Sequence, residues 1–246
     1  MTDLFFKNCL RIFVRRFPIV LIVLMLTNMP GYANRHRSKA AKAKYIDSLM
    51  TFSPVSSIYV ISEGNAMEFD DSVSRLSAVR LDEVVQLHAD KMKLRRKFTT
   101  DDSNLRQRAM EEIVFLFKLA SKKVFLEDTQ GVPVLDSINR AGGMRYVLLT
   151  LNEGFIRTKE NYRTQNKKAI GPAIATLGMY MRTPIPAASF MQVMILDMEA
   201  HKTYYFADFM DHAGIHATFK SNPLNREALD KQFMTLFNYF FWLLPS

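Results

Sequence analysis

One stretch near the middle of the chain limits the available folds more than any other. Tyr146 to Phe155 reads YVLLTLNEGF. Successive side chains of an extended chain point to opposite faces. Val147, Leu149 and Leu151 therefore share one face, and Tyr146 and Leu148 share the other. A strand apolar on both faces needs cover on both, as in the centre of a sheet packed with helices. The segment predicts an α/β arrangement with this strand inside it.

The flanking sequence supplies partners. Ser57 to Ser62 (SIYVIS) follows Pro54 and reads as a strand. Asp70 and Asp71 offer N-caps to a helix from Ser72 to Arg96, with Val73, Leu76, Val79 or Leu81, Val84, Leu87 and Leu94 as its apolar stripe. Its basic end, Lys91 to Lys97, suits the negative end of a helix dipole. A second helix starts at Asp102 or Ser103 and runs to Lys122, burying Met110, Ile113, Val114, Phe117 and Leu119, with Glu111 and Glu112 in solvent. A short helix at Leu135 to Arg140 stops at Gly142-Gly143, a pair without the further glycines of a phosphate loop. Arg157 to Lys168 reads as a solvated basic loop. Ser189 to Asp197 and Thr203 to Asp208 form a hairpin through Met198 to Lys202, with Asp197 orienting the turn. Asn222-Pro223 opens a last helix reaching Trp242, with Leu229, Phe233, Leu236, Phe237 and Phe240 as its buried stripe. The fold class is α/β (α+β), a mixed sheet of about four to five strands packed with three main helices.

The amino terminus reads as an export signal. Lys7, Arg11, Arg15 and Arg16 precede the uncharged stretch Phe17 to Met29, which is short for a spanning helix. Gly31 and Ala33 are small residues at the −3 and −1 positions of a cleavage point after Ala33. The expected organisation is a signal peptide at 1–33, a basic linker at 34–50 and one domain at 51–246. The location is the periplasm or cell envelope, the alternative being an inner-membrane anchor through residues 12–29. The only cysteine, Cys9, lies before the apolar stretch, so cleavage leaves a chain without disulfides. The net charge of +9 suits an anionic surface or an acidic partner, but no nucleic-acid motif accompanies it.

Ala169 to Ala188 (AIGPAIATLGMYMRTPIPAA) is long, apolar and broken by glycine and proline. It reads as a buried connection or as an exposed contact for a partner or membrane. The contact residues would be Ile170, Ile174, Leu177, Met179, Tyr180 and Met181. For chemistry, Asp208, His212 and His216 are the metal candidates, since His212 and His216 stand at helical spacing. No catalytic motif and no cofactor motif is present.

Three segments carry a resemblance: Ser57 to Ser62, Tyr146 to Phe155, and Met194 to Asp208 (MILDMEAHKTYYFAD). Their order is similar to that of exported bacterial envelope α/β domains, above all the periplasmic domain of the curli-secretion channel family. The chain departs from that family in two ways. It has no cysteine after its apolar stretch, and Ala169 to Ala188 lacks the alternation of a membrane hairpin. The resemblance implies an exported, non-enzymatic accessory or assembly protein that binds an envelope protein or a second copy of itself. The alternatives are a membrane-associated or oligomeric transport component using residues 169–188, and a metal-dependent hydrolase.

Overall fold

A computed structural model describes residues 33–37, 42–122, 132–175, 184–209 and 222–241. Eight strands in these residues form one mixed sheet. In chain order they are β1 (Ala33–Arg37), β2 (Leu49–Thr51), β3 (Val55–Ile61), β4 (Met67–Phe69), β5 (Leu94–Lys97), β6 (Tyr146–Arg157), β7 (Ala187–Asp197) and β8 (Lys202–Phe209). The α-helices are α1 (Asp71–Leu87), α2 (Ser103–Lys122), α3 (Pro133–Gly142), α4 (Lys159–Ala175) and α5 (Arg226–Phe241).

Strand β6 is central, as its two apolar faces require. Its first half runs parallel to β2 and its second half parallel to β3. β2 and β3 lie end to end along the same flank, separated by Phe52 to Pro54. Pro54 has no N–H to give to a ladder, which is why the two pieces do not merge. β5 pairs outside β2 and β4 outside β3. On the other flank β6 pairs antiparallel with β7, then come β8 and β1.

Helices cover both faces. On one side α1 and α5 pack Leu81, Val84, Phe233 and Phe237 onto Leu148, Val193 and Ile195. On the other, α2 and α3 pack Ile113, Phe117, Leu135 and Ile138 onto Val147, Leu149 and Met194. A bulge in β8 leaves Tyr204 as an extra residue between the partners of Ile195 and Leu196. Tyr204 and Tyr205 therefore both face α5, where Tyr205 stacks on Phe237 at 5.5 Å and donates its hydroxyl to Leu236 O.

A polar chain crosses this apolar layer. Asn152 Nδ2 donates to Ser77 Oγ at 3.0 Å, Ser189 Oγ donates to Asn152 Oδ1 at 2.6 Å, and Gln232 Nε2 donates to Ser189 O at 3.2 Å. Each group is buried, so each needs its partner. The chain ties α1, β6, β7 and α5 together.

Several expectations hold. Asp70 caps α1 by accepting from Val73 N at 2.9 Å, and Asp102 caps α2 by accepting from Leu105 N at 3.1 Å. Gly143 takes the left-handed conformation, φ +64°, that ends α3. Asp197 orients the β7–β8 turn by accepting from Ala200 N at 3.1 Å.

Others are corrected. The first long helix stops at Leu87, and Leu94 to Lys97 form β5 instead of a basic helix end. Lys93, with φ +58°, turns the chain back into the sheet. The inward side of α1 is Ser74, Ser77, Leu81, Val84 and Val85, while Leu76, Val79 and Leu87 are exposed. The serines go inward because their hydroxyls bond the sheet: Ser74 Oγ accepts from Ile58 N at 2.9 Å. In α2 the buried stripe is Ala109, Ile113, Leu116, Phe117 and Ala120, with Met110 outside. Glu112 is not merely solvated, since its carboxylate accepts from Val134 N and Leu135 N at the start of α3. Arg157 to Lys168 is not a loop but the end of β6 and most of α4. Asn225, not Asn222, caps α5, accepting from Ala228 N at 2.9 Å. The basic stretch at 34–50 is not all linker: residues through Arg37 belong to β1, and Leu49 opens β2. Residues 1–32 lie outside the described residues, and Ala33 is the first residue of β1.

Gly154 in β6 has no room for a side chain, because a Cβ there would lie 2.1 Å from Ala188 O on β7. Gly154→Ala is expected to lower stability by about 2–3 kcal/mol, the scale of overpacking, read from urea unfolding midpoints.

Candidate functional site

The sheet is longer than its helical cover. On the α2–α3 side the covered residues of β6 end at Leu151, and the same face continues with Glu153, Phe155 and Arg157. Register fixes their neighbours. Tyr59 of β3 lies beside Phe155, which faces Ala188 of β7, and Phe69 of β4 lies beside Tyr59. Met67 is beside Ile61, and Phe190 is opposite Glu153. The result is an apolar row at one end of the sheet, with Met67 and Phe69 58% and 55% exposed and Phe190 also at the surface. The Tyr59 and Phe69 rings meet edge to face at 6.0 Å.

Polar contacts hold this end in shape. Arg157 lies over the Phe155 ring at 5.6 Å and donates to Asn161 Oδ1 at 2.8 Å and Ile185 O at 3.0 Å. Asn161 Nδ2 donates to Ser62 O at 2.6 Å, and Gln165 Nε2 to Asn65 Oδ1 at 3.0 Å. Asn65 sits at φ +65° in the short turn between β3 and β4. The start of α4 is thus tied to that turn. Among the described residues β4 has one neighbour, β3, and none along its outer edge.

Of the residues picked from the sequence, Ile170 and Ile174 are exposed on α4. Leu177, Met179, Tyr180 and Met181 lie outside the described residues, as do His212 and His216. Asp208 is buried in β8 opposite Gln192. No group of three metal-ligating side chains occurs among the described residues. No helix among them is long and apolar enough to cross a membrane.

Two further groupings were not singled out from the sequence. His88 at the end of α1 is buried, with Nε2 2.6 Å from Asp230 Oδ1 and its ring stacked on Phe233 at 5.9 Å. The pair joins the end of α1 to α5. Separately, an open cleft of about 410 Å³ between β5, α2 and α3 is lined by Met50, Phe98, Leu105, Ile138 and Gly142 with Arg96 at its rim. The guanidinium donates to Gly142 O at 3.0 Å.

Ionisation is perturbed at one corner. Asp197 accepts from Arg145 Nε at 3.1 Å and Nη2 at 2.8 Å, which holds that guanidinium above its ordinary pKa. Burial pushes the neighbouring Tyr146 phenol above its ordinary value of 10.0, against the pull of Arg145. A phenol with a raised folded pKa stabilises the fold below the unfolded value, and that contribution is lost as pH rises above about 10. Tyr146→Phe is expected to flatten the alkaline fall in stability, measured by urea melts between about pH 9 and 11.5. His88→Ala should cost about 2 kcal/mol at neutral pH in the same assay, by leaving Asp230 without its donor.

No protein-family model matches the chain. No curated protein sequence matches it. Solved structures do show similarity at the level of backbone. The PelC dodecamer from Paraburkholderia phytofirmans superposes with a TM-score of 0.35 and 8% identity, over 84% of this chain and 98% of that one. A DUF4136 family protein from Bacteroides thetaiotaomicron gives 0.28 and 9%, over 84% and 96%. The LpoB C-terminal domain from Salmonella enterica gives 0.28 and 11%, over 70% of this chain and 84% of that one.

Proposed function

We propose that the chain is an exported envelope accessory or assembly protein, non-enzymatic, that acts by binding another protein through the open edge of β4 and the apolar row beside it. The contrast among the sheet's edges carries this reading. β1 includes Arg35 and Arg37, and β5 includes Arg95, Arg96 and Lys97. Charges on an edge discourage added strands. β4 carries a single charge, Glu68, and no cation, and offers Met67 and Phe69, both exposed, beside Tyr59 and Phe155. An extended segment laid against β4 gains main-chain hydrogen bonds, and alternate apolar side chains fall onto that row. The partner is therefore an envelope protein presenting an extended, apolar segment. The basic and apolar amino-terminal sequence supports placing this partner outside the cytoplasm.

The test compares the wild-type chain with Met67→Lys/Phe69→Lys, both exposed sites. A discrete partner retained from an envelope fraction is expected to bind the variant at least about tenfold less, with unfolding midpoints unchanged. Amide exchange at Met67 to Phe69 should slow in the wild-type complex. Equal retention by both proteins, or unchanged exchange in β4, overturns the reading. A pure chain that dimerises, and that the same substitutions make monomeric, identifies a second copy as the strand donor instead.

A further inference from the structure

We infer that the strand received at β4 is a basic one, in which a lysine or arginine stands between two apolar residues, and that Glu68 selects it. Such a partner presupposes the strand seat proposed above, and the added element is its charge pattern.

The first observation is the geometry of the edge. Ser62 N donates to Ala66 O at 2.9 Å, and Asp70 N donates to Ile58 O at 3.1 Å. Hydrogen-bonded pairs alternate along an antiparallel ladder, so the pair midway between them, Val60 and Glu68, is a bonded pair as well. Glu68 therefore directs its N–H and C=O toward β3. Those of Met67 and Phe69 point outward, where β4 has no neighbour among the described residues. An incoming antiparallel strand bonds to Met67 and Phe69 and sets one residue between them, directly opposite Glu68. That central pair is of the closer kind, with Cα atoms about 4.5 Å apart.

Directly opposite side chains share a face of the sheet. Phe69 lies on the face of Tyr59, whose ring it meets, and Met67 shares that face by alternation. The partner residues opposite Met67 and Phe69 therefore join the apolar row. The partner residue opposite Glu68 falls on the other face and meets the carboxylate.

The second observation is charge. The chain carries +9, yet no lysine or arginine occurs between Lys44 and Arg75, where Asp47, Glu63, Glu68, Asp70 and Asp71 all stand. Asp70 caps α1, and Asp71 pairs with Arg75 at 2.7 Å. Glu63 and Glu68 have no cationic partner among the described residues. Every residue from Glu63 to Phe69 is exposed.

These carboxylates sort the strands that could use the edge. A second copy laid antiparallel on β4 and centred on Glu68 would set Glu68 against Glu68, and like charges directly opposite are destabilising. An acidic segment meets the same repulsion. A segment apolar throughout leaves the carboxylate unpaired. A lysine or arginine at the central position pairs with it, while its apolar neighbours reach the row beside Tyr59.

The test uses the full chain and three fluorescent peptides of about nine residues, in which valine alternates with lysine, with threonine or with glutamate. Anisotropy titrations at low salt are expected to rank them lysine, threonine, glutamate, with at least about tenfold between first and last. Raising the salt from about 50 to 500 mM should remove most of the lysine peptide's advantage. Glu68→Gln should shrink that advantage, and Glu68→Lys should favour the glutamate peptide, both with unchanged circular dichroism. Amide exchange at Met67 and Phe69 should slow when the lysine peptide binds. Equal affinity for the three peptides with slowed exchange at β4 overturns the charge selection and leaves the strand seat standing. A lysine preference undiminished in Glu68→Gln, or one without slowed exchange, also overturns it. So does failure of all three to bind, while retention of an envelope partner still decides the strand seat by itself.

Discussion

The backbone ladder between β6 and β7 runs without interruption from Tyr146 opposite Asp197 to Ile156 opposite Ala187. Both strands must approach closely enough for Gly154 to meet Ala188, and both must present matching polar groups where Asn152 and Ser189 bond. Once this pair is fixed, β2 and β3 have a straight flank to line, β8 has a partner for its bulge, and helices have two faces to cover. The buried amide of Asn152 also sets the register. A slip of β6 by one residue would put that amide into the α2–α3 layer, on the side of Phe117 and Met194, and leave it unpaired.

Much of this frame could be read from the residues, because β6, β7, β8 and α5 carry long apolar patterns of one period. The α/β class and the hairpin followed directly. The short strands did not. β2 and β4 have three residues each, too few to show a period, and each exists because a longer neighbour offers it a ladder. The inward side of α1 departs from its apolar stripe for a different reason. Hydrophobic periodicity assumes that the buried residues are apolar, yet Ser74 and Ser77 are buried by hydrogen bonding to Ile58 and Asn152. The basic run at Lys91 to Lys97 fitted a helix end by charge, but the left-handed Lys93 and the pairing of Leu94 with Leu49 outweigh that preference.

The candidate site was legible in part. Ile170 and Ile174 belong to the long apolar segment that the sequence offers as a buried connection or an exposed contact, and both are at the surface. The row formed by Tyr59, Phe69, Phe155 and Phe190 was not visible, because its members come from four strands that only register brings side by side. Nor could charge alone identify the exposed helix. Arg157, which ends β6, and Arg163, inside α4, look alike in sequence, but Arg157 is consumed by Asn161, Ile185 and the Phe155 ring.

The unequal chemistry of the sheet's margins has a consequence for stoichiometry. Among the described residues the margins at β1 and β5 carry cations and the margin at β4 does not, so on the strand-binding reading proposed above β4 is the seat for an incoming strand. Self-association through that seat would close as a symmetric pair and stop there, since neither member keeps a second vacant seat. On that reading a fibre would need a head-to-tail supply of such seats.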